Sequence, residues 1–320
     1  MTTEPSTESS LPPASQLPRP EGLVSRIFLG SDGLRVGWRL LLYVAFWLMM
    51  EYAIGVLVLL AGGLRVNPDS PPSVILEELR SFLSAYAAAV LMARLERRPA
   101  GVYGLPQRQT INPGGLFWLG ILLGLGEVSL LVGLIAACGG YSFGTIVLHG
   151  SSLLDGAALW ALAFTLVGLS EEFLFRGYPQ YTLARGMGFW PAAVCLSLVF
   201  GAAHLGNPGE GAAGAANVVV TGLVFALALR RTGNLWLAVG WHASFDFGET
   251  FLFSVPNSGY VFDRHLSSAV LHGKTWLTGG TVGPEGSVFG FLTLGISAVL
   301  IHYLFPAKKH SNAPWNPVAD

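Results

Sequence analysis

The chain has 320 residues, 52% of them hydrophobic and 12% charged, with a net charge of −1. Soluble domains carry about 25% charged residues, so this composition and a mean hydropathy of +0.55 exclude an ordinary soluble globule. They imply an all-α, polytopic membrane helix bundle, and the near-zero net charge offers no field that selects nucleic acid.

Residues 1–25 read as a disordered tail, rich in Ser, Thr, Pro and Glu, without the apolar run of a signal peptide. Residues 26–310 read as one membrane domain, and 311–320 as a short C-terminal tail. A bilayer-spanning helix needs about 20 mostly apolar residues. About eight segments qualify: 38–63, 76–95, 114–138, 154–183, 189–206, 212–230, 234–254 and 284–305. The second is weakened by Glu77, Glu78 and Arg80 near its start. Cys138 and Cys195 lie in apolar runs, match no zinc or redox spacing, and read as small core residues.

Cytoplasmic loops of membrane proteins are enriched in Lys and Arg. Of the 18 here, an inside amino terminus leaves only Arg65, Arg80, Arg264 and Lys274 outside. Both termini are therefore expected in the cytoplasm. The 255–283 connection, with Asp263, His265, His272 and Trp276, becomes the longest outer segment and reads as a plain loop.

Ionisable residues inside spans face a protein interior or a water-filled cavity and are functional candidates. Here they are Glu51, Glu127, Glu171, Glu172, Arg176, His204, His242, Asp246 and Glu249. Glu171, Glu172 and Arg176 follow the nearly uncharged run 153–169. A helix ending at Arg176 would leave the two glutamates near the cytoplasmic surface. Continued past Tyr178 to about Leu183, with Pro179 free to kink it, it turns at 184–188. Glu171 and His204 then both lie roughly 20–24 Å from the turn, at 1.5 Å per residue. Arg176 becomes a buried partner of Glu172, four residues away on one face. His242 and Asp246 project from one face of the seventh segment, and Phe200 shares a face with His204 and walls the site.

Each feature has a plainer reading. The glutamates suit an interfacial helix end, His204 a helix-end histidine, and His242 a packing residue bonded to Asp246. Three helices delivering polar groups to one level favour a shared site. Glu51 and Glu127 read as interhelical hydrogen-bonding groups, and Glu249 as second to Asp246 or part of an outer rim. Glu77-Glu78 reads as an interfacial helix start unconnected with the site.

These stretches resemble the CPBP family of CAAX proteases and bacteriocin-processing enzymes, also called the Abi domain. Its patterns are E-E-x-x-x-R, F-x-x-x-H and H-x-x-x-N/D on successive apolar segments. Here they read Glu171-Glu172-Phe173-Leu174-Phe175-Arg176, Phe200-Gly201-Ala202-Ala203-His204 and His242-Ala243-Ser244-Phe245-Asp246, within about 155–250. The third ends in Asp, where CAAX-cleaving members use Asn. The resemblance implies an intramembrane endopeptidase in the cell membrane, on a peptide or protein substrate entering from the membrane or cytoplasmic side. Glu171 is then the base that activates water, and His204 helps hold that water. His242 and Asp246 steady the water or oxyanion, and Glu172 and Arg176 support. An aspartate cannot donate unless protonated, so Asp246 is expected to orient His242 or hold a cation.

The set Glu171, His204, His242 and Asp246 also suits a divalent metal such as zinc. Spacing does not choose between metal and a glutamate-activated water, and we favour the latter. A non-proteolytic scaffold or immunity protein, or a proton-coupled transporter using the same charges, is the alternative; the inverted repeats a transporter favours are not evident.

Overall fold

A computed structural model of the chain describes residue 22 and residues 27–30, 33–60, 67–106 and 112–306. Apart from Gly22, the two expected tails lie outside the described residues, as do Arg19, Arg26, Arg65, Arg108, Lys308 and Lys309. All eight expected segments are helical over their described residues. The first three are α1 Val36–Leu60, α2 Pro71–Leu95 and α3 Pro113–Ala137. Next come α4 Gly150–Arg176, a short α5 Tyr178–Met187, and α6 Phe189–His204. The rest are α7 Ala212–Thr232, α8 Trp236–Phe247 with a π-helical turn Gly248–Leu252, the one-turn α9 Thr275–Thr278 and α10 Val288–Leu304.

Among the described residues, four stretches are long and apolar enough to cross a membrane by length and composition: α1, α3, Gly150–Met187 and α7. Two shorter apolar helices, α6 and α10, accompany them. The remaining two fall short for visible reasons: α2 carries Glu77, Glu78 and Arg80, and regular α8 has only 12 residues before its π turn.

The long helix expected from 154 to 183 is broken at Gly177. There φ is −80° and ψ −117°, outside the helical range. A side chain at 177 would run into the Phe173 carbonyl oxygen, which accepts from the Gly177 N–H at 3.0 Å. The break lies two residues before Pro179, which has no N–H to give and sits in the first turn of α5. The turn into α6 falls at Gly188, with φ 88°. The hairpin exists as expected, but as two helices where one was expected.

The core around α5 is aromatic. Tyr178 stacks on Tyr43 of α1 at 4.6 Å and meets Tyr103 edge-on at 4.9 Å. Its hydroxyl donates to Glu96 beyond the end of α2. Glu51 of α1 pairs with Arg80 of α2 at 2.8 Å, and Trp241 of α8 donates to Glu127 of α3 at 2.7 Å. Both glutamates are the interhelical ties expected of them. Cys138 and Cys195 are free thiols, and both are exposed, not core.

The 255–283 connection is more structured than the plain loop expected. Its Val270–Leu271 pairs antiparallel with Tyr141–Ser142. Asp263 accepts from Asn67 at 3.2 Å and from Trp160 Nε1, through its carbonyl, at 3.1 Å. These bonds fasten the connection to α4 and to the start of α2.

Candidate active site

The site is built where α4, α6 and α8 meet. A backbone-level approach sets the spacing of α4 and α8: a Cβ on Gly168 would lie 2.8 Å from the Val239 carbonyl and 3.2 Å from the Ala243 nitrogen. One turn further along α4, Glu171 and Glu172 face His242.

Glu172 and Arg176 form the base of the site. Their side chains are 0% and 1% exposed, and Arg176 Nη1 is 3.1 Å from Glu172 Oε1. An unpaired buried charge is expensive, so each holds the other in place. The guanidinium also lies 4.3 Å from the Phe200 ring centroid, a desolvated cation–π contact. The same Phe200 ring meets His204 edge-on at 4.6 Å. Phe200 therefore does more than wall the site, because it couples the buried arginine to His204.

Glu172 has a second task. The oxygen that pairs with Arg176 also lies 3.3 Å from His242 Nδ1. A carboxylate accepts, so Nδ1 carries the proton and Nε2 faces the reaction space. Nε2 lies 3.7 Å from Glu171 Oε2 and 3.6 Å from Asp246 Oδ2. Both gaps are too long for direct hydrogen bonds, and one water can touch both ends of either. Glu172 is thus the group within hydrogen-bonding reach of the His242 ring, a contact that sequence spacing alone did not reveal.

Glu171 Oε2 is buried and has no hydrogen-bond partner. His204 Nδ1 is 2.9 Å from the Phe200 carbonyl oxygen. A carbonyl only accepts, so Nδ1–H donates and Nε2 is left with its lone pair. His204, His242 and Asp246 line one cleft of about 70 Å³. The Phe225 ring of α7 closes it 5.7 Å from His242.

Glu78 belongs beside the site after all. Its side chain hydrogen-bonds Ser170, the neighbour of Glu171, and Ser170 also bonds Ser81 at 2.8 Å. Glu78, Phe82 and Tyr86 recur at four-residue spacing, and both aromatics pack on Phe173 of α4. That stripe was the available sequence signal. Glu285, before α10, also went unnoticed; it is buried and lines the cleft with Glu249.

Among the described residues, no group of three or more His, Cys, Asp or Glu side chains is arranged to hold a metal ion. His204 makes no ion pair with the carboxylates near His242, and Nδ1 of His242 is engaged by Glu172.

A multi-pass helical membrane protein with a carboxylate oxygen that receives no hydrogen bond, 3.7 Å from a histidine ring nitrogen, has the makings of a hydrolase that works within the bilayer. Residues 153–248 match the family model described as type II CAAX prenyl endopeptidase Rce1-like. This is the family that the three motifs resemble, and the matched stretch holds every motif residue. The match supports intramembrane endopeptidase activity on a peptide or protein substrate. No curated protein and no solved structure matches the chain.

Proposed function

We propose that the chain hydrolyses a peptide bond with a water activated by Glu171, on a CAAX-type or leader-peptide substrate. The observation that carries this reading is the Glu171 Oε2 atom, buried, without a partner, and 3.7 Å from His242 Nε2. A water between them donates one hydrogen to Glu171, and the second hydrogen suits the free His204 Nε2. Its remaining lone pair is then directed at a substrate carbonyl. Glu171 takes the proton as the water oxygen attacks, and returns it to the leaving amine. In its imidazolium form, His242 donates from Nε2 to the oxyanion. Asp246, an acceptor, balances that positive charge and orients the ring, while Glu172 holds it from the other side.

The test uses the full chain in liposomes with two probes, a farnesylated CAAX-ended peptide and a leader-type peptide. Wild-type protein is expected to cleave one of them with or without a chelator, and the Glu171→Gln variant to cleave neither. Loss of wild-type cleavage on adding chelator would move the mechanism to a metal. Cleavage of neither probe by wild type would count against proteolysis and favour a scaffold role.

A further inference from the structure

The cleft continues past the proposed reaction centre into side chains that hydrolysis does not use. Glu249 lies three residues after Asp246, about 4.5 Å along the helix axis, and Glu285 reaches the same place from the turn before α10. They are 1% and 8% exposed. Their carboxyl groups are in hydrogen-bonding contact with each other, yet Glu249 Oε1 and Glu285 Oε2 receive no hydrogen bond from any donor group. Two carboxyl groups this close need a proton or another cation between them. Glu127, 7% exposed, adds a third glutamate to the lining. Among the described residues, no Lys or Arg lines the cleft. Glu127, Glu249 and Glu285 also lie outside the matched segment 153–248, so this acidic end is not part of the motif set.

We propose that the acidic end is a subsite for a basic side chain, Lys or Arg, of the substrate peptide. The inference rests on the protease reading above and names the substrate class. Leu131, Val218, Phe225 and Leu294 give the cleft an apolar wall, which suits the hydrocarbon stem of a long cationic side chain, with its charge beyond the stem. That charge replaces the proton shared by Glu249 and Glu285, and the proton leaves to water. An organic cation fits better than a metal ion, since no metal-holding group of side chains occurs among the described residues.

The test scans one lysine through the three residues on either side of the scissile bond of the farnesylated peptide, with norleucine at the same position as the neutral partner. For wild type, one register is expected to favour lysine about tenfold in kcat/KM, the scale of one charge-assisted contact. Glu285→Gln, and independently Glu249→Gln, are expected to bring the lysine-to-norleucine ratio close to one. Two variants are used because either alone could misfold, and thermal melting identifies that case. No register with a lysine preference, or a preference unchanged in both variants, would overturn the proposal. Binding of the same peptide pairs to the Glu171→Ala protein in nanodiscs needs no turnover. Tighter binding of the lysine peptide without cleavage by wild type would count against the protease reading and leave the subsite standing. Equal binding of both peptides, with stabilisation by sodium or zinc chloride instead, would make this an ion site and end the proposal.

Discussion

Among the carboxylate–guanidinium pairs of the described residues, Glu51–Arg80 and Glu172–Arg176 differ in every respect that matters. Glu51–Arg80 joins α1 to α2 at 2.8 Å, with its side chains 21% and 30% exposed. Glu172–Arg176 lies within α4 at 3.1 Å, is essentially unexposed, and has His242 as a third partner. The first is a strap between neighbouring helices. The second is a fixed charge pair that holds an imidazole for another task. The difference teaches that an intramembrane charge becomes a functional candidate through burial together with a further polar partner, and not through its presence in a span.

The largest effect is expected at the carboxylate that this pair does not neutralise. Glu171→Gln should lower the cleavage rate by about 10³-fold, within the range of general-base loss, with little change in melting because Oε2 receives no hydrogen bond. A loss below about tenfold in the liposome assay would return Glu171 to the status of an interfacial charge.

The next effect is on stability. Arg176→Met leaves Glu172 buried without its counterion and should cost about 3–5 kcal/mol, read by denaturant unfolding in detergent. Adding Glu172→Gln to Arg176→Met should recover most of that loss. No recovery would mean that the arginine acts through Phe200 rather than through the glutamate.

A third substitution separates position from charge. Gly168→Ala inserts a methyl group 2.8 Å from the Val239 carbonyl and should push α4 away from α8. A shift of about 1 Å at a reacting centre costs up to 10²-fold in rate, while the Glu172–Arg176 pair within α4 stays intact. Unchanged cleavage would show that the spacing of Glu171 and His242 is not critical.

The smallest effect is expected at the strap. Arg80→Gln should destabilise by about 1 kcal/mol or less and leave cleavage unchanged, since among the described residues the Arg80 guanidinium pairs with Glu51, away from the candidate site. A large loss of activity there would erase the contrast between the two pairs.

Much of the fold was legible because span length and periodicity are local properties. All eight expected segments are helical over their described residues, and the i,i+4 spacing of Glu172 and Arg176 gave their pairing directly. The break at Gly177 was less accessible, since Pro179 was the visible helix breaker while the irregular backbone falls two residues earlier. The exposure of both cysteines was misread, because an apolar run in a membrane helix does not say which face meets lipid. Glu78 was misread for a related reason: Glu77-Glu78 looks like one charged patch, but on a helix adjacent residues point about 100° apart, so only one of them can face Ser170.

By itself, the sequence determined a multi-pass helical architecture, three motif stretches on separate segments, and the identities of Glu171, His204, His242 and Asp246 as candidates. Tertiary structure alone decided that His242 is fixed by Glu172 and that His204 turns its Nδ1 to the Phe200 carbonyl. It also decided that Glu249 and Glu285 meet at one end of the cleft. The physical reason is range. Hydrophobic length and i,i+4 spacing are written along one helix, whereas contacts at 3–4 Å between helices depend on rotation and close approach, such as that at Gly168, which no single segment encodes.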